Sequence, residues 1–170
     1  MHLNVRQITG LAVLIAFNII LGKISIGPIF ASVNFGFIAL VLSGYFYGVR
    51  LTALAAVLAN LLAFTIMGKG SFSILFLLPA VLAGGVYGFL QKPTLTRIIV
   101  VNTVVVVGVS FFLNTFLITY TNHLNFQSLL GARTIKMIIS LLVQIIISYL
   151  LLSNSAITNL KKQLQLIKQP

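Results

Sequence analysis

The chain contains no aspartate and no glutamate, against eleven lysines and arginines. No cation can pair with a carboxylate side chain of its own chain. Each must turn to water, lipid phosphate, a backbone carbonyl, a ligand or a partner. The same absence removes carboxylate general acid–base catalysis. With no cysteine and only two histidines, a catalytic metal set is not expected either, nor is a disulfide or thiolate chemistry. No catalytic residue, metal site, resident cofactor or nucleic-acid partner is expected. Proton relays inside membranes run mostly through Asp, Glu or His. Here His2 and His123 both fall outside the apolar runs, and no GxxxxGK[ST] phosphate loop is present. Uphill movement of a solute would therefore need energy from another subunit.

What is abundant is apolar sequence. The chain is 59% hydrophobic and 6% charged, with a mean hydropathy of +1.15. Runs near the length of a bilayer crossing recur from end to end, which marks an integral membrane protein. They are continuous rather than alternating, so helices are expected and a membrane β-barrel is not. At about 20 residues per crossing plus short loops, the length accommodates about six helices in one domain. The expected fold is an all-α bundle of six transmembrane helices over residues 1–170, at 7–22, 35–48, 51–67, 72–90, 98–120 and 129–153. Arg6 before the first run resembles the front of a signal peptide, but no convincing small-x-small cleavage site follows, so the run is read as a span.

Within these runs a few residues punctuate the pattern. Ala12 and Ala16 form a small-xxx-small pair on the first helix, and Ala80, Gly84 and Gly88 form a stripe on the fourth, both suited to close helix approach. Pro79 predicts a kink. Asn60 is the one strongly polar side chain in the third helix and reads as interhelical glue, with a ligand contact as the minority reading. Residues 154–170 carry Lys161, Lys162 and Lys168 among apolar residues at helical spacing, the pattern of a helix lying on the membrane surface.

Loop charge sets the orientation. With both termini cytoplasmic, Arg6, Arg50, Lys92, Arg97, Lys161, Lys162 and Lys168 lie inside, seven of the eleven cations. The remaining four, Lys23, Lys69, Arg133 and Lys136, gather at the outer ends of three loops. An uncompensated positive field there favours an anion. Arg133 and Lys136 are three residues apart and share one helix face. A charge drawn into a span costs about 2.5–3.5 kcal/mol near its centre and less at the rim, which points to a use for both. Arg133 can grip a carboxylate or phosphate with two parallel hydrogen bonds. Asn114, Thr115, Tyr120, Asn122 and Gln144 add polar groups. Phe35 and Phe72, with other phenylalanines, add flat apolar surface. The ligand described by this inventory is a small molecule with an aromatic part and an acidic part.

At these residues the sequence resembles the substrate-binding S components of energy-coupling factor vitamin transporters, and among them the folate-specific ones. The matching stretches are NFGFIALVLSGYFYG (34–48), AGGVYGFL (83–90) and FLNTFLITY (112–120) followed by RTIKMIISLLVQ (133–144). With the first helix they span most of the chain. The resemblance implies a bacterial plasma-membrane protein without enzymatic activity that binds its vitamin from outside, toppling in the membrane to release it. Partners would be a membrane-embedded coupling subunit, met through Ala12 and Ala16, and two cytoplasmic ATPases. Arg133, Lys136 and Asn114 would lie at the vitamin pocket. Related S components for hydroxymethylpyrimidine- or pyridoxine-type vitamins share the architecture and remain alternatives. A small structural or pore-forming protein is a further one; it needs no tight ligand binding.

Overall fold

A computed structural model describes residues 5–26, 33–67, 74–122 and 126–166. Its helices are α1 (Val5–Lys23), α2 (Phe37–Tyr47), α3 (Val49–Met67), α4 (Leu77–Tyr87), α5 (Leu95–Thr103), α6 (Asn114–Asn122), α7 (Phe126–Ser153) and α8 (Ser155–Leu166). A short antiparallel pair, β1 (Ser25–Ile26) with β2 (Val33–Asn34), follows α1 in the register Ser25 to Asn34. Single 3₁₀ turns, Ile74–Phe76 and Gly88–Gln91, bracket α4, and a π-helical stretch, Val104–Leu113, joins α5 to α6 without a break. Among the described residues five helical segments are long and apolar enough to cross a membrane, and α2 is a shorter apolar helix. Their outward side chains, such as Val13 and Ile20 on α1 or Ile138 and Ile146 on α7, are exposed. In water such a surface would be unstable; in lipid it is the ordinary outer face of a bundle.

Small residues decide which helices touch. A Cβ added at Gly84 would stand 2.7 Å from both the Ala56 Cβ and the Thr52 carbonyl oxygen. Only glycine therefore lets α4 lie this close to α3, and dispersion between backbones takes over where lipid removes the hydrophobic drive. Gly88 meets the Val49 backbone in the same way, so the Gly84 and Gly88 part of the stripe is a packing seam. Gly48 ends α2 with φ 77°, a conformation that ordinary side chains resist, and its N–H donates to the Gly44 carbonyl at 3.2 Å. The chain can then reverse within one residue into α3, and Arg50, expected in the turn, instead lies in the first turn of α3.

The best-packed part of the bundle surrounds these junctions. Phe37, Val41, Tyr45, Tyr87, Leu90, Ile98, Val101, Val105 and Leu152 form one buried cluster across α2, α4, α5, the π stretch and α7. Beside it, Asn102 is fully buried and donates to the Ile98 carbonyl at 2.8 Å; the Ser148 hydroxyl on α7 approaches its carboxamide oxygen at 3.5 Å. Pro79 is the third residue of α4, where a backbone N–H has no partner inside the helix anyway. Asn154 separates α7 from α8 and caps the latter, its side-chain oxygen accepting the Ala156 N–H at 2.9 Å.

Candidate functional site

Away from the packed cluster the helices part. A cavity of about 410 Å³ opens between α1, α2, α3, α4, the π stretch and α7. Its apolar wall includes Phe37, Leu40, Phe64, Pro79 and Val109, and the small side chains Ala56, Ala59, Ala63, Ala80 and Ala83 make the room. Alanines at these spacings on α3 give one helix face almost no volume. The hollow follows from the residue sizes as directly as the seam follows from glycine.

Polar groups enter this cavity from every side. Asn18 on α1 donates to the Gly36 carbonyl at 2.7 Å and so fixes the entry of α2 against α1. Tyr87, buried at the cavity floor, donates its hydroxyl to the Gln144 Oε1 at 2.8 Å. That bond ties α4 to α7 and orients the carboxamide, whose N–H donors remain for the cavity. Asn34, Asn60, Ser110 and Asn114 complete the polar lining. The π stretch matters here. Its wider turn brings Ser110 onto the wall, and Asn114 stands at its end. Such departures from α geometry recur where a helix serves a site.

A second, narrow cleft of about 40 Å³ adjoins the first and shares Ser110 and Asn114 with it. Arg133 and Lys136 line this cleft with Ser140 and Met137. The Arg133 Nη1 donates to the Thr115 hydroxyl oxygen at 2.8 Å, and Thr115 is buried. One arm of the guanidinium is thus held by the bundle. Among the described residues no other group takes its remaining donors, and the chain has no carboxylate side chain to do so. The site can accommodate a flat ring among amides in the larger space and an anion beside the two cations. Among the described residues no metal-ligand cluster gathers.

Of the residues singled out from sequence, Arg133, Lys136 and Asn114 come together at the cleft. Phe35, Tyr120 and Lys23 do not reach the cavity wall. Phe35 packs near Phe37, with ring centroids 6.5 Å apart, on the buried cluster. Tyr120 is exposed and stacks on Phe116 along the outside of α6. Lys23 is exposed at the end of α1, one residue past the cavity-lining Gly22. Lys69, Phe72, His123 and Lys168 lie outside the described residues. Ala12 and Ala16 are exposed on α1. Thr115 serves Arg133 rather than the cavity. Asn60 lines the cavity, and so do Asn18, Asn34, Tyr87 and Ser110, which the sequence reading does not single out. The available signal was chemical: each is a polar group within or at the end of an apolar run.

No protein-family model matches the chain. The folate transporter FolT of Leuconostoc mesenteroides subsp. mesenteroides is 26% identical over 171 residues, covering 95% of this chain and 92% of that protein. Among solved structures, a crystal structure of FolT bound with folic acid matches with a TM-score of 0.79 and 24% identity, over 86% of this chain and 92% of the other. The structural likeness establishes a shared fold. Together with the five long apolar helices, these relatives make the chain a multi-pass membrane protein.

Proposed function

We propose that the chain is a folate-specific S component of an energy-coupling factor transporter, a binding subunit of the cell membrane and not an enzyme. The near full-length similarity to a folate transporter supports this, and the observation that carries it is the joined pair of spaces. About 410 Å³ is within the range of pre-formed small-ligand pockets. Folate is a flat heterocycle with a carboxylate tail. Its ring has donors and acceptors that suit Asn60, Asn114 and Gln144 between Phe37 and Phe64. Its carboxylates suit Arg133 and Lys136. Six crossings, with α2 as the short one, leave both termini cytoplasmic and open the cavity outward. The exposed Ala12 and Ala16 on α1 offer a partner helix a close approach, as a membrane-embedded coupling subunit would need. Two ATPases acting through that subunit supply the energy that a chain without acids or a phosphate loop cannot.

The test is calorimetry of folate against the detergent-purified chain, with pyridoxine and hydroxymethylpyrimidine as rivals, repeated on Arg133→Ala. Stoichiometric folate binding that the variant loses is the expected result. Tight binding of a neutral rival, indifferent to the variant, would reassign the vitamin and reduce Arg133 to an interfacial anchor. Binding of none of the three would overturn the reading.

A further inference from the structure

The bundle's other end carries a feature that ligand binding does not use. Gly10 of α1 packs on the Tyr47 hydroxyl, Gly48 on the Gln91 side chain, and Gly88 on Val49. The start of α1, the α2–α3 junction and the segment after α4 therefore meet at one end. There α8 is stapled on. The Lys161 ammonium donates to the Gln91 carbonyl and sits 3.8 Å from the centroid of the Tyr45 ring. Arg97 donates to the Lys92 carbonyl at 3.2 Å, drawing the start of α5 to the same point. Arg97 is exposed, and three further exposed cations adjoin these contacts in sequence: Arg50, Lys92 and Lys162. No carboxylate side chain exists anywhere in the chain to neutralise them. Exposed apolar side chains stand within three residues of two of them, Val49 beside Arg50 and Phe89 before Lys92.

We infer that this end is a binding site for the headgroups of anionic phospholipids, with α8 held by Lys161 as its floor. Two chemistries lie side by side here, phosphate-binding cations and acyl-compatible apolar surface, and a phospholipid presents both in one molecule. An acidic protein segment would match the cations but not the flanking apolar groups at the bilayer edge. Each cation near a charged membrane surface contributes about 1 kcal/mol, or about fivefold. Three together give a preference on the order of 100-fold for anionic over zwitterionic lipid.

The experiment compares the full chain in phosphatidylcholine nanodiscs with and without phosphatidylglycerol, reading retained lipid by native mass spectrometry and thermal unfolding in parallel. The comparison variant is Arg50→Gln/Lys92→Gln/Lys162→Gln. All three side chains are exposed, so its melting temperature in phosphatidylcholine is expected to match the parent. The expected result is preferential retention of phosphatidylglycerol with a raised melting temperature, both largely abolished in the variant. Four outcomes would overturn the inference. These are no lipid preference in the parent, an unchanged preference in the variant, equal stabilisation by inorganic phosphate, and an effect of the cations seen only when another protein is bound. Folate binding at the opposite end serves as an internal control, since it should be the same in both proteins.

Discussion

The same helices behave in opposite ways at their two ends. Where α2 turns into α3 and α4 gives way to α5, glycine at 44, 84 and 88 lets backbones touch, and large side chains such as Tyr45, Leu90 and Leu152 fill what remains. One or two turns away, alanine on α3 and α4 again minimises side-chain volume, yet there the backbones have diverged and the result is a cavity. Small residues make a seam where helices converge and a pocket where they splay. The pocket then needs polar groups to be more than a void, and α1, α3, α7 and the π stretch each supply at least one.

Substitutions can break this contrast at either end. The largest effect is expected from Gly88→Val, because the added side chain meets the Val49 backbone, which cannot swing aside as a flexible side chain would. Overpacking usually costs about 1–3 kcal/mol, and more when backbone is in the way. Loss of monodisperse protein in detergent gel filtration is the readout. Arg133→Ala comes next and acts at the other end only. Removing one partner of a buried charged contact costs about 2–5 kcal/mol of binding. Calorimetry should show that loss while thermal unfolding without ligand barely moves. Asn60→Leu should weaken folate by about 1–3 kcal/mol, the cost of leaving a polar ligand group unpaired, again with little change in unfolding temperature. If it instead destabilises the empty protein, Asn60 belongs to the packing and not to the pocket. The smallest effect is expected for Tyr120→Ala, which should leave folate affinity within about 0.5 kcal/mol, as for a surface position away from any special contact. A large loss there would mean that the outside of α6 closes over the ligand.

Much of the architecture was legible before any coordinates. Apolar runs located each helix to within a few residues, because a bilayer requires continuous apolar length and leaves little freedom in where a span begins. Arg133 and Lys136 could be picked out because a charge drawn into a span has no inconspicuous explanation, and the structure brings both to one cleft with Asn114. The aromatic and single-amide residues were harder to read. Phe35 and Phe37 are two positions apart, yet only Phe37 reaches the cavity. Tyr120 follows Asn114 by six residues on the same continuous helix and faces outward. In lipid both faces of a helix are apolar, so the amphipathic pattern that reveals the inner face of a soluble helix is muted.

Composition and order alone therefore determined a helical membrane protein without a carboxylate side chain. Only the tertiary structure decided which small residues make contact and which leave space. It also decided that the π stretch brings Ser110 onto the pocket wall, and that Thr115 holds Arg133 in place. The physical reason is that hydropathy is a sum over a segment, which sequence states directly. A pocket depends on the distance and rotation between segments, and these are set by close packing of residues far apart in the chain.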